Sequence, residues 1–300
     1  MSRRVALAVL ATGLGLAGLV TGTGTAAAVP GCGDYHWIGA AGSGQRDAAG
    51  LQANGGMGPV VFESYQQLST ALASQGKTIT AEAVQYPAVP VPVDGGLGGW
   101  MGFMDSVEAG EEATADQFAA FTERCPATKV VLAGYSQGAM AIHRNLHDLA
   151  DNPNVAAALL IADGDRLPGD TTVNLGSAAV VPGPGKGVAQ EHSFLASAPT
   201  DPLPVSIGSR TISVCDVGDP VCDYDPDTAG DDATTNAAGI AIHTSYAPAT
   251  TGAHAWGAPL YRAVVSSAPL QDATPLDPTL QGPLPGPAQD PSVSLAATHG

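Results

Sequence analysis

The 300 residues predict an α/β protein, a three-layer sandwich with a mainly parallel central sheet and helices on both faces. Two observations carry that prediction. Short apolar runs of strand length recur at residues 35–40, 78–86, 129–133, 155–162 and 210–214. Between most of them, apolar residues return at helical spacing, which is the crossover that parallel strands require.

The first run, YHWIGA, enters a Gly-rich turn at residues 42–44. Val61, Tyr65, Leu68 and Leu72 then share one helical face, with Gly76 where a C-cap belongs. TITAEAVQYP is the second strand, ended by Pro87. A Pro- and Gly-rich loop over 88–104 comes next, carrying Trp100, Met101, Phe103 and Met104. Val107, Gly110, Thr114, Phe118 and Phe121 mark a further helix that runs up to Cys125. The third strand, 129–133, precedes strong helix formers over 138–149. Strands at 155–162 and 210–214 and a closing helix over 255–265 complete the pattern, which contains no internal repeats. Residues 269–300 are Pro-rich and aperiodic and read as a disordered tail behind a folded domain over 29–268.

The N-terminus assigns a compartment. Arg3 and Arg4 precede an apolar, Gly-rich stretch over 5–20, and AAA at 26–28 offers a small-residue cleavage site before Val29-Pro30. Residues 1–28 therefore read as a secretory signal peptide, and no later segment is long and apolar enough to span a bilayer. Removing them takes the formal charge from −17 to −19, because two arginines and no acids are lost. So acidic a chain has no electrostatic footprint for nucleic acid and is repelled by anionic headgroups; uncharged or apolar substrates fit better. Cys32, Cys125, Cys215 and Cys222 are an even set in an exported chain, which implies two disulfides. The short spacing of Cys215 and Cys222 suggests a local bridge and leaves Cys32 with Cys125. C-x-x-C spacing is absent, so no zinc site is read.

Gly134-Tyr135-Ser136-Gln137-Gly138 is a G-x-S-x-G, weak as a pattern but set here between a strand and a helix. That is the context of a nucleophile elbow, in which a sharp turn presents the serine and the next N–H opens a helix. In this architecture the acid and then the base come after the serine. His143 and His147, four apart on the outgoing helix with no glutamate beside them, read as a solvated face. His192 precedes the acidic loop and breaks the order, and His299 belongs to the tail, so His243 and His254 remain. The loop CDVGDPVCDYDPD has five acids between 216 and 227. Thr228 stands where a calcium loop begun at Asp223 needs glycine, so the loop reads as solvated acids rather than a metal site. Asp219 differs from the rest because a Cys215–Cys222 ring would hold its carboxylate in place, as an orienting acid requires.

CPATKVVLAGYSQGA, CDVGDPVC, HTSY at 243–246 and VQYPA at 84–88 together resemble the cutinase family of α/β-hydrolases, secreted serine esterases, over roughly residues 32–265. The resemblance implies a catalytic triad of Ser136, Asp219 and His243, the H-x-x-Y element selecting His243 over His254. It implies an oxyanion hole formed by Gln137 and Ser43, the latter in Ala40-Ala41-Gly42-Ser43, where the family has A-R-G-[ST]. Ala41 in place of arginine bears on the packing of that turn. Residues 168–204 look like an insertion before the last strand and read as a surface loop rather than a cover for the acyl pocket. Trp100, Met101, Phe103 and Met104 divide between an apolar rim for lipid or polyester and the core.

The residues and the resemblance together imply a secreted, extracellular carboxylic ester hydrolase, compatible with residence at the cell wall, that needs no cofactor and no metal. Cutin or polyester, short- to medium-chain acyl esters and lipid esters are the substrates the resemblance implies. Two rivals stand beside it. An acetylxylan-type esterase would want aromatic sugar platforms, and only 5% of residues are aromatic. A non-catalytic surface protein on a decayed hydrolase scaffold would not need Ser, Asp and His in order.

Overall fold

The computed structural model describes residues 31–92, 96–181, 185–192, 199–225 and 237–266. The signal peptide read at 1–28, the tail at 269–300 with His299, and Asp227 and Thr228 of the acidic loop lie outside them.

Six strands form one parallel sheet. They are β1 (Tyr35–Ala40), β2 (Ile79–Ala83), β3 (Lys129–Tyr135), β4 (Val155–Ile161), β5 (Val173–Leu175) and β6 (Thr211–Val214), in the order β2-β1-β3-β4-β6-β5. The helices are α1 (Ala48–Asn54), α2 (Pro59–Ala73), α3 (Gly96–Arg124), α4 (Gln137–Leu146), α5 (Val205–Gly208), α6 (Ala237–His243) and α7 (Gly257–Val265).

Side-chain alternation along the strands makes two cores. Trp37, Val131 and Leu159 pack with Leu68 and Leu72 of α2 and Leu260 of α7 on one face. Ile38, Val130, Leu132 and Leu160 pack with Phe118 and Phe121 of α3 and Ile142 and Leu146 of α4 on the other. A central strand covered on both faces has no polar side to spare, which is why β3 reads KVVLAGY. This is the α/β-hydrolase architecture. Among the described residues no helix is long and apolar enough to cross a membrane.

Four sequence expectations need correcting. The loop expected over 88–104 ends at Gly96, where α3 begins, because LGGWMGFM carries enough apolar residues to seat a helix despite its glycines. There Phe103 and Val107 pack against Met140 of α4, while Met101 stays 59% exposed. The helix expected over 138–149 stops at Leu146. The segment 168–204 is not merely a surface loop. It supplies the edge strand β5, and the N–H of Val188 donates to the Val221 carbonyl at 2.8 Å, so it braces the loop after β6. Finally, His143 is fully buried, not solvated, because Asp163 after β4 reaches its Nδ1 at 2.6 Å.

Both cystine bridges form, Cys32–Cys125 and Cys215–Cys222, as an oxidising compartment permits. The first closes a loop of 93 residues and the second one of 7. Replacing Cys32 and Cys125 together by alanine should cost about 4–5 kcal/mol in urea unfolding, against roughly 2 kcal/mol for the other pair. Equal losses would contradict the loop-length account.

Candidate active site

The end of β3 builds the site. Ser136 follows Tyr135 with φ 53° and ψ −120°, a left-handed conformation that costs an ordinary residue about 1–3 kcal/mol. The neighbouring glycines make it sterically feasible. A Cβ on Gly134 would meet the main chain of Gly138, and one on Gly138 would meet the carbonyls of Ala40 and Ala41. The Ser136 N–H is tied to the Ile161 carbonyl of β4 at 2.9 Å, and its own carbonyl accepts from Ala139 and Met140. Gln137 is the first residue of α4, so its N–H belongs to the first turn, where no intrahelical acceptor exists.

Ser136 Oγ lies 3.0 Å from His243 Nε2, and His243 Nδ1 lies 3.0 Å from each oxygen of Asp219. A carboxylate can only accept, so Nδ1 carries the hydrogen and Nε2 is left to take one from the serine. His243 is the last residue of α6, and its side chain keeps 15% exposure while Asp219 is fully buried. The main-chain N–H groups of Val221 and Cys222 donate to Asp219 Oδ1 at 2.7 and 3.4 Å, which the tight disulfide ring makes geometrically possible. Ser136 itself is 5% exposed.

The remaining candidates fall in distinct places. Among the described residues, Ser43 Oγ is buried and has no hydrogen-bond partner. Its turn is pinned by the Tyr86 hydroxyl to the Ala41 carbonyl and by the Gly44 N–H to Ala88 at 2.7 Å. Ala41 is completely buried there, so the missing arginine leaves the turn well packed. A Cβ on Gly42 would strike the ring of Tyr135, which puts the turn alongside the elbow. His254 does not face Ser136. Its Nε2 lies 2.6 Å from Asp216 Oδ2. His192 stacks edge-on against Tyr224 at 5.2 Å. The acidic loop is not uniformly solvated, for Asp216 accepts from Ser177 and Asp223 from the Gly218 N–H.

Two tyrosines escaped sequence reasoning. The Tyr135 hydroxyl donates to the His243 carbonyl at 2.7 Å, and its ring stacks on the imidazole at 5.3 Å. Burial and the Asp219 charge push its phenol well above the ordinary value, so it remains a donor. Tyr246 donates to Asp219 Oδ2 at 2.8 Å. Only the H-x-x-Y spacing hinted at the second, and nothing in the sequence hinted at the first.

The cutinase family model matches residues 31–258. The chain belongs to the cutinase family. A cutinase from Botryotinia fuckeliana is 29% identical over 177 residues, covering 58% of this chain and 66% of its own. Acetylxylan esterase 2 from Talaromyces purpureogenus is 31% identical over 161 residues, covering 48% and 61%. The chain thus spans just under two thirds of the lengths of these relatives. Among solved structures, a cutinase-like protein from Cryptococcus sp. superposes with a TM-score of 0.51 at 19% identity, over 80% of this chain and 97% of that one. At that identity the likeness speaks for the cutinase fold alone.

Proposed function

We propose that this cutinase-family chain is a secreted serine esterase that hydrolyses carboxylic esters through an acyl-enzyme. The observation that carries the reading is the continuous relay from Ser136 Oγ to His243 to Asp219, each step 3.0 Å, with the serine on a strained elbow at a helix N-terminus. His243 Nε2 takes the hydroxyl proton as Oγ bonds to the ester carbonyl carbon, and Asp219 stabilises the imidazolium. The tetrahedral oxyanion lies between the Gln137 N–H and the unpartnered Ser43 hydroxyl, both supplied before the charge develops. Collapse breaks the ester C–O bond, and the imidazolium protonates the departing alcohol. Water then repeats the sequence, releasing the carboxylic acid and restoring Ser136.

The acidic surface and the exposed Met101 beside the apolar cluster of Phe103, Val107 and Met140 favour uncharged, apolar esters, polyester and lipid esters among them. The Talaromyces relative favours a second reading, deacetylation of xylan. Hydrolysis of p-nitrophenyl esters from acetyl to palmitoyl, beside acetylated xylan, separates them. A maximum at butyrate or longer is expected, whereas release confined to acetyl groups would move the assignment to the polysaccharide. No turnover of any ester by the mature protein would overturn both.

A further inference from the structure

We propose that Tyr246 is a positioning residue that sets the orientation and the charge of the Asp219–His243 pair, an inference that rests on the proposed triad. Among the described residues its hydroxyl is the only side-chain donor to Asp219 besides His243. The carboxylate needs it. Asp219 is fully buried, so its lone pairs depend on protein donors, and a terminal carboxylate torsion is intrinsically soft. Oδ1 is held by two main-chain N–H groups, and Oδ2 is held by Tyr246 at 2.8 Å. With both oxygens fixed, the carboxylate faces the imidazole symmetrically, 3.0 Å from Nδ1 on either side.

The direction of the tyrosine proton is also determined. The Asp216 N–H donates to the Tyr246 oxygen at 2.8 Å, which leaves the hydroxyl hydrogen to point at Asp219. The disulfide sulfur of Cys222, 3.5 Å away, has no hydrogen to give. Burial and the Asp219 charge raise the Tyr246 phenol far above its usual range, so the donor persists at every working pH.

Behind Tyr246 stands a second clamp. Asp216 accepts from the N–H and hydroxyl of Ser177 at 2.8 and 3.0 Å and from His254 at 2.6 Å, and the His254 ring stacks on Tyr246 at 5.3 Å. Ser177 lies in the 168–204 segment, so the insertion reaches the triad acid through Asp216 and Tyr246. His254, the rival base by sequence, serves here as a wall for the tyrosine.

Removing the hydroxyl has a signed consequence. A hydrogen bond to a carboxylate withdraws some of its charge, so its loss strengthens the attraction for a protonated imidazole. Tyr135, Asp216, Asp223, His254 and Arg166, which donates to the Cys222 carbonyl, also surround the pair; Tyr246→Phe leaves all of these side chains in place and takes from them only the acceptor of the Asp216 N–H.

The test compares pH profiles of kcat/KM on p-nitrophenyl butyrate for the parent, Tyr246→Phe and Asp216→Asn. Titration with a serine-directed phosphonate counts only competent molecules, so partial unfolding does not enter. Tyr246→Phe should move the acid limb upward by roughly half a pH unit and lower kcat about 3–10-fold, with KM within about twofold. Asp216→Asn keeps its N–H to Tyr246 and removes a nearby negative charge, so it should lower the Tm without moving the limb upward. A Tyr246→Phe limb that coincides with the parent's, or an equal displacement in Asp216→Asn, would overturn the proposal. Failure of the parent to take up phosphonate would instead remove the triad reading beneath it.

Discussion

Replacing Ser136 by alanine should lower kcat on a p-nitrophenyl ester by about four to six orders of magnitude while leaving thermal stability nearly unchanged. The two halves of that expectation come from the same geometry. The Ser136 hydroxyl makes its side-chain hydrogen bond to His243 at 3.0 Å, and alanine at φ 53° carries strain similar to that of serine, so the fold loses little. Under the proposed mechanism, catalysis loses the atom that becomes acylated. The variant keeps whatever Gln137 and Ser43 do for a water attack, on the order of 10³–10⁴ over solution in enzymes of this kind. Asp219→Asn should cost about 10⁴, because an amide can donate to Nδ1 and so stabilise the wrong tautomer, leaving Nε2 protonated toward the serine. A loss below about tenfold for Ser136→Ala would place the chemistry elsewhere and turn attention to a scaffold without esterase activity.

Much of this site was legible because its signals are local. Gly134 and Gly138 bracket Ser136 within one turn, β3 is apolar because it is central, and Asp219 sits between two cysteines that are close in sequence. Chain order left both His243 and His254 open and only the H-x-x-Y likeness selected His243; the structure supplies the physical difference, since one meets Ser136 and the other meets Asp216. VQYPA, a mere likeness in the sequence, has a physical account once Tyr86 is seen to bond the Ala41 carbonyl beside the elbow. Strand β5 has three residues at the sheet edge, too few for a period to register. The long helix α3 begins in a glycine-rich stretch whose packing against Met140 outweighs poor propensity. In each case the deciding contact lies far along the chain.

His143 is the sharpest instance of that, and among single substitutions it carries the largest expected effect on stability. An i, i+4 histidine pair with no glutamate beside it reads as a solvated face, yet α4 lies under the loop after β4, where Asp163 meets His143 Nδ1 at 2.6 Å and Asp170 stands 3.8 Å from Nε2. Beside them Arg144 and Asp165 pair at 2.7 Å, equally buried. Burial alone would pull the imidazole down, but the charge and hydrogen bond of Asp163, with Asp170 and Asp165 behind it, push it up to about 9. The folded value therefore exceeds the unfolded one of about 6.5. His143 contributes its full stabilisation below about pH 6.5, and that contribution fades as the pH rises through about 9. His143→Ala leaves Asp163 buried without its cation and should cost about 3–5 kcal/mol at pH 6. In urea unfolding the parent should lose stability relative to the variant between about pH 6.5 and 9.5, narrowing the gap. A cost under about 1 kcal/mol at pH 6, or a gap that does not narrow with pH, would mean that the buried pair is neutral and held by hydrogen bonding alone.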